Sequence, residues 1–367
     1  MNTRKPVVLL APLDWGLGHT VRCIPIIKEI LNHQCEVIVA CNSKQKLLLI
    51  EEFQSIRFVD LEGYDIKYGK TRLTTFFKIF FQLPGILTSI RRERKWLVRF
   101  MASNKVDGII SDNRYGFSSR NVPSIFITHQ LKVRSGFGRI VDDRIQKFIY
   151  HHINKFRVCW VPDWKNAETN VAGELSHPKK FPSIPVKYLG CLSRFEKCPQ
   201  AENAYEFVII LSGPEPQRTI LENIVLKQLK NFNGNAVFIR GVFDDSSAPS
   251  VNNTIVLNSV PASELNRLIC NAKIMISRAG YTSIMDFVKL AKKTIVIPTP
   301  GQAEQEYLAT CLHERKLAFA VSQDKFSLKT TLQEAREFTV EYLTVSTEEY
   351  KKVVKEFSNS LHGGQTF

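Results

Sequence analysis

The sequence predicts an α/β protein made of two doubly wound, parallel-sheet domains in tandem. Three observations lead there. Short apolar runs alternate with helix-like patterns along most of the chain, the signature of strand–helix–strand units. The alternation pauses over residues 163–204, rich in Pro, Lys and Ser, and then restarts. Polar or glycine-bearing turns follow several of the strands, at the edge where a parallel sheet opens its ligand crevice.

In order, Val7–Ala11, Glu36–Cys41, Gly108–Ser111, Ser124–Thr128 and Val158–Pro162 read as strands of the first domain. Val21–Leu31 and Lys44–Phe53 read as helices between them. The second domain restarts with Phe207–Ser212, Ala236–Arg240, Thr254–Leu257, Lys273–Ser277 and Thr294–Pro298. The boundary falls near residues 193–205, dividing the chain into 1–195, 196–345 and a C-terminal helix and tail over 346–367. At 367 residues there is room for two domains of ordinary size.

Hydrophobic content of 44% with 23% charged residues describes a globular chain. The net charge of +15 lies wholly in residues 1–200, which hold 32 Lys and Arg against 17 Asp and Glu. Such a half favours anionic partners. No nucleic-acid-binding module is visible, so nucleic acid is not expected as a partner. Eight cysteines without a CxxC pair are expected to be reduced. No signal peptide and no membrane span is expected, which points to a cytoplasmic protein.

Six stretches carry chemistry. Pro12-Leu13-Asp14-Trp15-Gly16-Leu17-Gly18-His19-Thr20-Val21-Arg22 follows the first strand. Gly16 and Gly18 let the backbone turn close to a ligand, and His19 falls at the opening of the next helix. Asp112-Asn113-Arg114 and His129-Gln130 follow two further strands. There Asp112 suits orienting a histidine or binding a sugar hydroxyl, and Arg114 suits a phosphate. Ser277-Arg278-Ala279-Gly280-Tyr281-Thr282-Ser283 opens a helix in the second domain. At 100° per residue Ile284, Phe287, Val288 and Ala291 form its buried stripe, with Thr282, Asp286 and Lys289 opposite. Gln302, Gln305 and Glu306 share one helical face further on, and Gly213 and Arg218 flank another strand-to-helix turn. Plainer roles compete at each place: a capping histidine, Asx turns, a solvated helix face.

These residues resemble those of glycosyltransferase family 28 of the GT-B type, most closely over Ile274–Ala309 and the Gly-x-Gly-His loop. The resemblance implies two Rossmann-like domains facing a central cleft, the last helix crossing back to the first domain. It also implies inverting transfer of a hexose or N-acetylhexosamine from a nucleotide-diphosphate sugar, UDP-linked as the first expectation. His19 is then the general base, with Gly16, Gly18, Asp112, Asn113, Arg114, His129 and Gln130 on the acceptor side. Gly213, Arg218, Arg278, Ala279, Gly280, Tyr281, Thr282, Ser283, Asp286, Gln302, Gln305 and Glu306 face the donor, Asp286 meeting the ribose. No metal or cofactor is expected. The sequence departs from the peptidoglycan enzyme of that family, with Asp14-Trp15 in place of glycines and Glu306 in place of a second glutamine. Acceptor and sugar therefore stay open: a glycan or lipid-linked acceptor is expected, as in cell-envelope polysaccharide synthesis. The aromatic, basic segment 76–100 is a candidate peripheral contact with an anionic membrane; a buried aromatic core with solvated arginines is the alternative. A sugar-nucleotide 2-epimerase or a non-catalytic donor-binding subunit would share the donor pocket.

Overall fold

The computed structural model describes residues 4–64, 72–136, 138–197, 204–243, 247–251 and 253–363, and within 72–84 the backbone alone. Two compact units emerge. One runs to Leu192 and takes back the stretch from Ser346, and the other runs from Ser193 to Val345.

In the first unit the order is β1 (Val7–Pro12), α1 (Leu17–Asn32), β2 (Glu36–Cys41), α2 (Ser43–Glu52), β3 (Arg57–Asp60), α3 (Arg72–Ser103), β4 (Gly108–Asp112), β5 (Ser124–Ile127), α4 (Arg139–Ile153), β6 (Val158–Val161) and β7 (Val186–Tyr188). The strands form one parallel sheet in the order β3-β2-β1-β4-β5-β6-β7. The chain builds outward from β1, then returns to lay β4 against β1's other edge. That reversal is the topological switch point, and the register pairs Pro12 with Asp112 at its carboxyl end.

Both faces of this sheet are covered, so its strands read as unbroken apolar runs. Alternate residues still part to opposite faces. Val8 and Leu10 join one core with Ile24, Ile27 and Leu49, whereas Val7, Leu9 and Ala11 join another with Leu97 and Phe117. The first of these cores also takes Val353, Val354 and Phe357 from the last helix, α10 (Glu348–Leu361). Phe357 meets the Trp160 ring edge-on at 5.7 Å between centroids. Beside α4, residues 163–185 contain just one short 3-10 turn, tied down by the buried Asp163 carboxylate, which accepts from Trp164, Val171 and Ala172 N–H groups.

The second unit contains β8 (Tyr205–Ile210), α5 (Gln217–Leu229), β9 (Ala236–Ile239), β10 (Thr254–Leu257), α6 (Ala262–Cys270), β11 (Ala272–Ser277), α7 (Tyr281–Lys289), β12 (Thr294–Val296), α8 (Ala303–Glu314), β13 (Phe319–Ala320) and α9 (Leu328–Glu337). Its sheet is parallel in the order β10-β9-β8-β11-β12-β13. The switch point lies between β8 and β11, where Ile210 pairs with Ser277. The Gly213 and Gly280 turns follow these two strands.

Three strands have no counterpart in the sequence reading: β3, β7 and β13. Each is short, and β3, β7 and β13 end their sheets, so none carries a long apolar run. Among the described residues six cysteines are free thiols, but Cys270 is disulfide-bonded, contrary to the expectation that all eight are reduced. Among the described residues no helix is long and apolar enough to cross a membrane.

Candidate active site

At the switch point of the first unit, Gly16 occupies the N-cap of α1 with φ of 97°, a left-handed conformation that favours glycine. Through that turn His19 enters in the first turn of α1, 15% exposed. Its Nδ1 lies 3.1 Å from Oδ2 of Asp112, which is fully buried at the end of β4. Arg22, one turn further along α1, is buried with them. Its Nε bonds both oxygens of Asp112 at 3.1 and 2.9 Å, and Nη2 also bonds Oδ1. Its Nη1 reaches Nδ1 of His129 at 2.9 Å, just past β5. Cys23 Sγ stands 3.7 Å from the same carboxylate.

The electrostatics follow from this packing. Burial alone would raise the Asp112 pKa, but the Arg22 guanidinium and His19 outweigh it and hold the carboxyl at about 2. Burial and the Arg22 charge lower the His19 pKa below its ordinary 6.5, against the opposing pull of Asp112. His19 is therefore neutral at physiological pH, as a general base must be.

The other acceptor-side residues divide. Asn113 has φ of 59°, tolerable for asparagine, and its buried Oδ1 has no hydrogen-bond partner. Gln130 follows His129, its N–H bonded to Thr128 Oγ1. Arg114 is not a phosphate ligand in this arrangement. It is fully buried, donating to Pro12 O, Glu62 O, Glu93 Oε1 and Asp14 Oδ1. Its planar fork matches these acceptors, so it braces the β1 and β4 ends instead of facing ligand. Asp14 further accepts from Tyr64 N–H.

In the second unit α7 starts at Tyr281 with Gly280 as its N-cap, and α5 starts at Gln217. Neither N-cap residue caps its helix with a side chain, but Glu215 Oε2 accepts from Thr219 N–H in the first turn of α5, so it is the dipole end of α7 that suits an anion. Gly213 turns the chain ahead of α5 with φ of 106°. Ala279 is buried behind the α7 turn, while Thr282 and Ser283 are half-buried in its first turn.

Two arginines depart from the expected phosphate contacts. Arg278 is buried, its Nη1 donating to Ile297 O and Pro298 O and its Nη2 to Gln217 O and Gln323 Oε1. It clamps the ends of β12, α5 and the loop after β13. All four acceptors are neutral, and burial lowers its pKa to about 10. Arg218 pairs with Glu215 and Glu222, and Glu222 also bonds Arg240. Its charge is neutralised locally.

Asp286 lies on a buried part of α7, not on the open face that the helical projection assigned to it. A helix packed on two sides has no free face, which the projection cannot register. Its Oδ1 accepts from Ser193 Oγ at 2.6 Å. Burial raises its pKa to about 7, with Ser193 and Arg194 pulling the other way.

Gln302 proves to be the N-cap of α8 instead of part of its face. Gln305 accepts from Thr299 N–H and donates to Gln302 Oε1, and Glu306 accepts from Gly301 N–H. The trio thus folds its own turn. Of the three, Glu306 also lines a cavity of ≈520 Å³ with Pro298, Pro300, Thr310, His313 and Gln323.

Along 85–100, Ile90, Glu93 and Leu97 face the interior, and Arg91, Arg92, Arg94, Lys95 and Arg99 are exposed. Trp96 stacks on Phe100 within the core-side packing. The phenylalanines of 76–81 lie outside the described side chains. No group of His, Cys, Asp and Glu converges as metal ligands would among the described residues.

Arg22, the hub of the first-unit cluster, has no role among the expectations from sequence. Its signal was its spacing, three residues after His19 on one helix face.

Residues 215–361 match the glycosyltransferase family 28 C-terminal domain. No curated protein sequence matches the chain significantly. Solved structures are similar at fold level. A UDP-glucosyltransferase from Polygonum tinctorium is 15% identical, with 98% of this chain and 94% of that one covered and a TM-score of 0.59. MurG of Acinetobacter baumannii is 14% identical, with 98% and 100% covered and a TM-score of 0.54. The glycosyltransferase SsfS6 of Streptomyces sp. SF2575, complexed with thymidine diphosphate, is 12% identical, with 98% and 100% covered and a TM-score of 0.58. All three share the GT-B fold seen here.

Proposed function

We propose that this chain, a GT-B glycosyltransferase similar to family 28 that uses a nucleotide-sugar donor, transfers its sugar with inversion, His19 acting as general base. The observation that carries this reading is the His19–Asp112 contact at the first unit's switch point. A neutral imidazole oriented by a buried carboxylate is the arrangement that removes a proton from a hydroxyl.

In this reading His19 Nε2 takes the acceptor hydroxyl proton as the oxygen attacks the anomeric carbon. The bond from that carbon to the diphosphate breaks, and its electron pair leaves with the nucleoside diphosphate. The α7 N-terminus, whose N-cap Gly280 offers no side-chain cap, receives the developing charge. Arg278 supplies positive potential from beneath without touching the ligand. Asp286 accepts from the ribose hydroxyls, with Tyr281, Thr282 and Ser283 at the diphosphate, and the cavity beside Glu306 takes the sugar, a hexose or N-acetylhexosamine. UDP is the first nucleotide to test. Asn113 Oδ1 and Gln130 meet a glycan or lipid-linked acceptor. The exposed arginines of α3 favour one that is anionic or lies at an anionic membrane surface.

His19→Ala is the test. Transfer from a nucleotide sugar should fall about 10²–10⁴-fold, while nucleoside diphosphate binding, read by calorimetry, stays within about twofold. Unchanged turnover would sink the assignment of the base.

A further inference from the structure

We propose that Arg22 is a positioning residue that selects the tautomer of His19, holding it in the resting protein with the proton on Nε2, the form that cannot act as a base. This rests on His19 being the base, and deepens it.

A guanidinium has five N–H donors and no acceptor, so any imidazole nitrogen bonded to it presents a lone pair. His129 Nδ1, 2.9 Å from Arg22 Nη1, therefore turns a lone pair to it. His19 Nδ1 has two competing partners. Asp112 Oδ2 at 3.1 Å accepts and requires a proton on Nδ1. Arg22 Nη2 at 2.9 Å donates and requires a lone pair there. One nitrogen cannot satisfy both.

Two hydrogen-bond states follow. With Nδ1–H bonded to Asp112, Nε2 carries the lone pair that takes a proton. With Nη2–H bonded to Nδ1, Nε2 is itself a donor. Arg22 is the nearer partner, and its Nη2 has two hydrogens, enough for Asp112 Oδ1 and His19 together. Because Arg22 also neutralises Asp112, the carboxylate draws on the imidazole proton less than an unpaired one would. The charged and titratable groups around His19 are Arg22 on α1, Asp112 on β4 and His129 after β5, with the Cys23 thiol on the far side of Asp112. Turnover then requires the other tautomer: Nη2 swings off His19 while Nε keeps its hold on Asp112, Nε2 gives its proton to solvent, and Nδ1 takes one from solvent and donates it to Asp112.

The experiment uses ¹⁵N-histidine-labelled full-length protein at neutral pH, with His19→Ala assigning the resonance. Wild type should show His19 protonated on Nε2 and bare on Nδ1. Arg22→Gln and Arg22→Lys should both reverse this, and Arg22→Gln, which removes the cation, should also move the acidic limb of the transfer rate to higher pH. Arg22→Lys keeps a cation beside Asp112 and covers the case in which the glutamine variant does not fold. Asp112→Asn should leave the wild-type tautomer in place and depress transfer at least 10²-fold. A wild-type His19 already protonated on Nδ1, or Arg22 variants with an unchanged tautomer, would overturn the proposal. The tautomer is read without turnover, so an inactive His19 assignment would show itself separately, in the His19→Ala rate.

Discussion

Replacing Asp286 with asparagine probes a carboxyl whose environment works against its charge. Ser193 Oγ is its hydrogen-bond partner and Arg194 acts on it through space, yet burial raises its pKa from 3.8 to about 7. A carboxyl raised in the folded state contributes stability that is fully present below its unfolded pKa and lost as pH rises through the folded one. Moving it from 3.8 to about 7 means that the ionised form at pH 8 destabilises the second unit by roughly 4 kcal/mol. Asparagine escapes that penalty and keeps an oxygen for Ser193, but adds an amide donor whose burial without a partner costs about 1–3 kcal/mol. The expected net gain is about 2 kcal/mol at pH 8, a rise in Tm of roughly 4–8 °C, with no gain at pH 5. The same variant should lose about tenfold in nucleoside diphosphate affinity, because a carboxylate accepts ribose hydroxyl bonds more strongly than an amide does. Melting curves at both pH values, with calorimetric binding, measure all of this. Equal effects at pH 5 and pH 8, or destabilisation at pH 8, would refute the burial argument. Unchanged affinity would refute the ribose contact.

Three further outcomes follow from the same structure. Because His19 must be neutral and its pKa is pushed below 6.5, kcat at saturating donor should stay flat through neutral pH. It should fall only as pH drops below 6.5, and an acidic limb centred above 6.5 would contradict the geometry. Arg278→Met removes the donors to Ile297 O, Pro298 O and Gln217 O. It should destabilise the second unit by about 3 kcal/mol in urea unfolding, and a loss under about 1 kcal/mol would show that the clamp is dispensable. Phe357→Ala should cost the first unit about 3–5 kcal/mol, although the residue lies at the far end of the chain. Unfolding followed by tryptophan fluorescence reports it directly, since Trp160 packs against that ring.

How far the sequence could be read depended on the range of the interactions involved. Apolar runs revealed ten of the strands, since strands covered on both faces must be apolar throughout. The edge strands β3, β7 and β13 escaped because they are short and lack such runs. Gly16 and His19 were legible because a glycine turn followed by a helix opening is a local event. Arg114, Arg218 and Arg278 were not, because an arginine past a strand end or in a helix's first turn looks the same whether it meets a phosphate or the protein's own carbonyls and carboxylates. Asp286 misled the helical projection for a related reason: burial depends on what packs above the helix.

The sequence by itself determined the two alternating α/β units, the turns at their switch points and the pairing of a Gly-x-Gly-His loop with a family 28-like second half. Tertiary structure alone decided which charged groups are neutralised and which stay ready for chemistry. It set Arg22 between Asp112, His19 and His129, residues drawn from α1, β4 and the turn after β5. It also turned Arg114 and Arg278 inward. Hydrogen-bond partnership over such separations is set by sheet order and register, and a linear pattern carries neither.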